Sequence, residues 1–261
     1  MNAGWIGFPK ETDADFWASA TAYAALGYKG FEGGEALLTT GDTAANMQRL
    51  QDLGLTVLTV SASVDEVRDN PQAVIARAKA VGAPRASIWA SGQIWGDPPS
   101  KDAMFEEIDA LDKAAAIFAK EGIKLCYHNH DKEFFIMYDG VRLIDHMMQR
   151  TQFLWLEADV AWITAGGEKP VRFLKQYAKR LAAVHIKDYI PTIVEEGNRA
   201  VTKPIFTSLG TGVVNLPKVL NYLHKINFDW VVYEQDELRN LSSLESMTQS
   251  YLYMKELGVL S

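Results

Sequence analysis

Short apolar runs rich in β-branched and aromatic residues alternate along this chain with longer stretches in which apolar side chains recur every three or four positions. The first pattern predicts strands and the second predicts amphipathic helices. Eight strand-like runs fall at residues 3–8, 30–33, 56–61, 86–90, 124–128, 153–159, 182–187 and 230–235. Helical periodicity fills residues 13–26, 43–53, 64–81, 101–120, 141–149, 170–179, 216–225 and 243–257. Strict alternation argues for parallel β/α units, because parallel neighbours need a crossover and a helix usually supplies it. Gly27, Gly54, Gly82 and Gly122 each separate a helical pattern from the next strand, a position suited to the left-handed turn that closes a helix.

Eight such units without a Pro/Ser/Gly-rich break predict one α/β domain over residues 1–261, an eight-stranded parallel β/α (TIM) barrel, and 261 residues match the ~250 that such a barrel occupies. A doubly wound dinucleotide-binding sheet would open with GxGxxG after its first strand. Here that turn is Gly7-Phe8-Pro9-Lys10, so no nucleotide cofactor is expected. Residues 189–212 form the longest irregular stretch and read as a functional loop after strand 7.

The net charge of −7 disfavours a nucleic-acid partner, which would require a basic surface. No apolar run approaches the ~18–20 residues of a membrane span. The first residues lack the basic and apolar regions of a secretory signal. With Cys126 as the only cysteine, no internal disulfide can form, and a cytoplasmic setting is expected.

Catalytic groups in a β/α barrel lie at the C-terminal ends of its strands. Read there, the chain offers Glu32 and Glu35, then His128, His130 and Glu133, then Glu157 and Asp159, then His185, Lys187 and Asp188, and finally Glu234 and Asp236. Side chains alternate faces along a strand, so Glu157 shares a face with Asp159, Ala183 with His185 and Lys187, and Val232 with Glu234 and Asp236. Glu133, Asp159, His185 and Glu234 are therefore expected to converge on one point. Three carboxylates and an imidazole suit a hard divalent ion with open positions, Mn²⁺ or Mg²⁺ before structural zinc. His128 reads either as a hydrogen-bonded core histidine or as a ligand, Glu157 as a deeper carboxylate paired with Lys187 or a histidine, and His130 as a substrate contact.

The motifs at these strand ends have a familiar ring. Tyr127-His128-Asn129-His130-Asp131-Lys132-Glu133-Phe134, Asp159-Val160-Ala161-Trp162 with Ala165-Gly166-Gly167, His185-Ile186-Lys187-Asp188, Leu209-Gly210-Thr211-Gly212 and Tyr233-Glu234-Gln235-Asp236 occur in order. Together they resemble the xylose isomerase-like TIM barrel superfamily, the sugar isomerase/epimerase group that also holds inosose dehydratase. The resemblance implies metal ligands at Glu133, Asp159, His185 and Glu234, with Glu133 and Glu234 as the catalytic proton-shuttling pair. Many members carry His where this chain has Trp162, so the usual substrate contacts differ here while the ligand positions are kept.

The implied activity is isomerisation or epimerisation of a keto-sugar by proton abstraction next to its carbonyl, through an enediolate. The alternative is a dehydratase or lyase acting on a keto-inositol or a 3-keto-glycoside. Lys187 is expected to hold a sugar hydroxyl, and Trp5, Phe8, Trp89, Trp95 and Trp162 to floor a sugar ring. The absence of a basic cluster near strands 7 and 8 beyond Lys187 and Arg199 favours a neutral sugar as partner. The resemblance also suggests a homo-oligomer. The family's DNA-repair branch needs many histidines and a basic face, against five histidines and an acidic chain here. A ligand-binding barrel without catalysis is disfavoured by the intact acidic and imidazole positions.

Overall fold

Each of the eight strand-like runs becomes one strand of a closed barrel. The computed structural model describes residues 1–6, 13–95, 97, 99–196, 199–238 and 241–260. In it β1 (Asn2–Ile6), β2 (Gly30–Glu32), β3 (Thr56–Ala62), β4 (Arg85–Ile88), β5 (Lys124–His128), β6 (Trp155–Asp159), β7 (Leu181–Ile186) and β8 (Trp230–Tyr233) follow one another around the cylinder. All pairings are parallel, and Asn2–Trp5 of β1 closes the ring against β8. Gly27, Gly54, Gly82 and Gly122 all take positive φ, as expected for the turn from helix to strand.

Local chemistry accounts for the departures from the expected elements. The single helix expected over 64–81 is two, Val64–Asp69 and Pro71–Ala80. Asn70, which precedes a proline and so avoids helical angles, leaves the first helix and caps the second by accepting from Ala73 N. Residues 141–142 belong to a small hairpin with Met137–Tyr138, turned by Asp139 and Gly140 at positive φ. The larger correction is at 189–212. Asp188–Glu196 and Arg199–Thr207 pair in antiparallel register as a two-stranded ribbon, so most of this stretch is regular. Its base is clamped by the Asp188 carboxylate, which accepts backbone N–H bonds from Tyr189, Gly210, Gly212 and Val214 at 2.9–3.1 Å. A Cβ on Gly212 would lie 2.2 Å from an Asp188 oxygen, so the clamp requires glycine there.

Trp5 packs edge-on against Tyr23 and Tyr28 with centroids 5.2 and 5.7 Å away, and beside Phe31 at 5.3 Å. It is fully buried in this aromatic cluster and is no part of a sugar floor, which corrects that expectation. On the other face of β1 and β2, Gly4 and Gly30 pair in register and leave room for Leu58. Between Phe31 and Glu32 the register against β3 slips, so that Phe31 faces Val57 and Glu32 faces Thr59. Such bulges re-aim side chains, and this one brings the Thr59 hydroxyl to Glu32.

A Cβ on Gly30 would meet the Thr56 carbonyl oxygen at 2.8 Å, whereas one on Gly4 would meet a Leu58 methyl at 2.7 Å. Gly30→Ala should lower unfolding free energy by about 1–3 kcal/mol, the usual range for overpacking, and Gly4→Ala by less because a methyl can turn away. Urea titrations of both variants test the ranking; an unchanged midpoint for Gly30→Ala would refute it.

Candidate metal centre

The strand ends carry the side chains that alternation places inside the barrel. His128 ends β5, Asp159 ends β6, His185 lies one residue before the end of β7, and Glu234 follows β8. One ligand atom from each of these four lies within 4.8 Å of the others. Asp159 uses Oδ1 to accept the Ala161 and Trp162 backbone N–H groups at 2.8 Å, capping the short helix Val160–Ala165. Its Oδ2 is buried without a hydrogen-bond partner, 3.9 Å from His128 Nε2. Asn129 fixes the neighbouring backbone, accepting from Asp159 N at 3.1 Å and donating to Asp159 O at 3.4 Å. Two imidazoles and two carboxylates, one of them with a buried oxygen that makes no hydrogen bond, form a donor set that fits a divalent cation.

Glu133 lies elsewhere. It is fully buried in the short helix Lys132–Phe135. Its Oε1 accepts from the Tyr127 hydroxyl at 2.8 Å and its Oε2 from His130 N at 3.0 Å. Burial raises its carboxyl above the ordinary value, against the pull of those hydrogen bonds. The structure thus brings Asp159, His185 and Glu234 together as the alternation implied, with His128 as the fourth member of the group.

Beneath this group is a second layer of charge. Glu32 and Glu157 are buried, and both approach His185 Nε2, at 2.7 and 3.5 Å. Glu157 also accepts from the Ser87 hydroxyl and lies 3.7 Å from His128 Nδ1. Arg85 supplies the cation of this layer, donating from Nε to Thr59 at 3.2 Å, with Nη2 3.6 Å from Glu32. Arg85 and Ser87 join the sequence-derived site residues here, and alternation along β4 puts both on one face. Burial alone would lower His185, but Glu32 and Glu157 hold it well above the usual imidazole range.

Above the group, Lys187 is 1% exposed and reaches Asp159, Glu234 and Asp236 at 3.5, 3.2 and 2.5 Å. Burial opposes its charge, yet these carboxylates raise its pKa. Burial likewise disfavours the charged form of Glu234, but Lys187 and His185 hold it well below the usual carboxylate range.

The mouth is aromatic. His130 stands between Trp95 and Trp162, with centroids 5.1 and 5.2 Å away. Phe206, from the ribbon, packs on Trp162 at 4.9 Å and lies 4.3 Å from Lys187 Nζ. Nothing in the sequence signals this contact, because Pro191 and Pro204 make the ribbon resemble a loop. His130 is pushed down to about 3 by burial and by His128 and Lys187, so it is neutral, and its Nδ1 and Trp162 Nε1 are buried without partners. Trp89 is exposed beyond the end of β4, and Phe8 lies outside the described residues.

Residues 20–256 match the xylose isomerase-like TIM barrel family, and the chain belongs to that family. An inosose dehydratase of Clostridium botulinum is 28% identical over 162 residues, covering 57% of this chain and 52% of that protein. The chain thus spans about half the length of the curated relatives it matches. Among solved structures, a sugar phosphate isomerase/epimerase from Parabacteroides distasonis superposes with a TM-score of 0.76 at 18% identity, covering 100% of this chain and 95% of that one. A probable 3-DHS dehydratase from Bacillus anthracis superposes at 0.73 with 13% identity, covering 98% and 99%. The family contains isomerases, epimerases and dehydratases.

Removing one partner of a buried ionic cluster leaves the others uncompensated, at a cost on the order of 3–5 kcal/mol. Lys187→Met should lower stability by that order in metal-free protein. Equilibrium unfolding in urea measures it, and a variant as stable as wild type would contradict the assignment of Lys187 as the compensating cation.

Proposed function

We propose that the protein is a divalent-metal-dependent enzyme that abstracts a proton next to the carbonyl of a keto-sugar or keto-cyclitol. The observation that carries this reading is the convergence of His128, Asp159, His185 and Glu234, with Asp159 Oδ2 buried among them and making no hydrogen bond. These four residues would hold the ion. An imidazole in place of the Glu133 carboxylate moves the expected preference from Mg²⁺ toward a transition ion such as Mn²⁺. A bound divalent ion would stabilise the negative charge that grows on the carbonyl oxygen as the adjacent C–H bond breaks.

The remaining chemistry belongs to the side chains. Glu234 is the member of the group most open to substrate, at 18% side-chain exposure, and Lys187 and His185 keep it ionised, so it is the proton acceptor. Lys187, held protonated, donates a hydrogen bond to a substrate hydroxyl. Neutral His130 and the Trp162 indole present unpartnered nitrogens to the ring, with Trp95 and Phe206 beside them. Among the described residues, Lys187 is already matched by three carboxylates, which favours an uncharged polyol over a sugar phosphate.

Reprotonation of the resulting enediolate makes an isomerase or epimerase; expulsion of a β-hydroxyl makes a dehydratase. Epimerisation needs a proton-transferring group on each face of the substrate, and Glu133, the expected second group, is buried behind Tyr127. That favours chemistry on one face. In a dehydration the proton taken by Glu234 is returned to the departing hydroxyl, so that a C–H and a C–O bond break, a C=C bond forms and water leaves. The likeness to inosose dehydratase supports this second outcome.

Purified protein incubated with keto-sugars and inososes in deuterated water, with and without Mn²⁺, tests the reading. Chelation should abolish turnover, and Glu234→Gln should slow it by about 10²–10⁴-fold, the usual contribution of a positioned base. Deuterium at the carbon beside the carbonyl identifies isomerisation, and a product lighter by one water identifies dehydration. Metal-independent turnover, or full activity in Glu234→Gln, would overturn the proposal.

A further inference from the structure

We propose that Glu32 is a positioning residue that fixes the tautomer of His185 and so presents Nδ1, rather than Nε2, to the ion. This rests on the metal-dependent reading above and adds to it a residue from the far side of the barrel. The pair is 2.7 Å apart and neither side chain has any exposure, so no water competes for the bond. An ionised carboxylate can only accept, so the imidazole proton facing Glu32 must reside on Nε2. With Nε2–H committed to Glu32, Nδ1, 2.9 Å from Glu234 and on the side of the four-residue group, is the nitrogen whose lone pair an ion would take.

Glu32 is itself oriented by hydrogen bonds whose direction is determined. Arg85 Nε–H donates to the Thr59 hydroxyl at 3.2 Å, which commits that oxygen as acceptor and turns its proton toward Glu32 Oε1, 2.8 Å away. Oε2 remains for His185. The slip in register between β2 and β3 puts Thr59 opposite Glu32, so the bulge is part of the device. Glu157 is the weaker candidate for the same task, being 3.5 Å from Nε2 and also engaged by Ser87. A carboxylate behind a ligating imidazole locks the ring and raises its basicity, and losing such a partner typically weakens metal binding about 10–100-fold.

Mn²⁺ binding followed by the electron paramagnetic resonance of the free ion gives Kd and stoichiometry for wild type, E32A, E32Q and T59V, each checked for folding by circular dichroism. One ion per chain is expected, with Kd raised about 10–100-fold in E32A. E32Q should lie between, because its amide oxygen still accepts from Nε2–H. T59V leaves every charge in place, which keeps the test open should E32A fail to fold, and should weaken binding by a smaller factor in the same direction. Long-range ¹⁵N spectra of histidine-labelled, zinc-loaded wild type should show His185 protonated at Nε2.

An unchanged Kd in folded E32A, or a His185 proton on Nδ1, overturns the positioning role while leaving the metal site standing. Two ions in wild type with one lost in E32Q would make Glu32 a ligand and also overturn it. A wild-type protein that binds no Mn²⁺ overturns the metal-dependent reading and this inference together.

Discussion

Four carboxylates, Glu32, Glu157, Asp159 and Glu234, share the inside of one barrel, and three of them have no exposed side-chain surface. Like charges about 4 Å apart repel by roughly 4 kcal/mol at an effective dielectric near 20, and by more where burial is deeper. The arrangement persists because each layer carries its own cation, Arg85 below and Lys187 above, with two imidazoles between them. These four carboxylates, together with Asp236 beside Lys187, outnumber the two fixed cations, and a divalent ion would offset the negative excess. In the metal-free state part of that role passes to His185, which Glu32 and Glu157 hold protonated. The same electrostatic requirement therefore shapes both the stability of the barrel mouth and its affinity for a cation.

Strand geometry delivers these groups without any long loop having to place them. The grouped residues stand at the inward-facing ends of neighbouring strands, and below them Cys126, Ala183 and Val232 keep the interior narrow around the buried charges of Glu32, Glu157 and Arg85. The added elements complete the mouth. Asp188 gathers four backbone N–H groups at the base of the ribbon, and the ribbon in turn presents Phe206 to Trp162 and Lys187. A two-stranded ribbon has little stability alone. This clamp, one residue from Lys187, ties a wall of the pocket to the strand that carries His185.

Much of the architecture was legible because its signals are local. Alternating apolar runs, glycine at the helix ends and two-residue parity were enough to place eight strands and to bring Asp159, His185 and Glu234 to one rim. The ribbon was harder to see. Its alternation of apolar and polar residues is interrupted by Pro191, Pro204 and the charges around 195–199, which suggest a loop when no partner strand is known. Arg85, Ser87 and the task of Glu32 were hidden for a different reason. They depend on which strands are neighbours and on a one-residue slip in register, and neither is encoded in the spacing of any single segment.

The placement of Glu133 follows from the same parity. Tyr127 and His128 are adjacent on β5, so they must face opposite ways; His128 points inward to the two carboxylate layers, and Tyr127 points outward into the packed shell of helices. The Tyr127 hydroxyl accepts from Ser91 N at 3.1 Å, which leaves its own proton for Glu133. A carboxylate bound to the outward neighbour cannot also stand at the mouth. Glu133 instead shapes the turn that follows the strand, accepting the backbone N–H of His130 and thereby orienting the imidazole that faces Trp162. Glu133, to which the resemblance gives a proton-shuttling role, thus meets the mouth through the backbone N–H of His130. The inward position at the end of β5 is left to His128, and Glu234, the most open of the four grouped residues, is the base in the proposed chemistry.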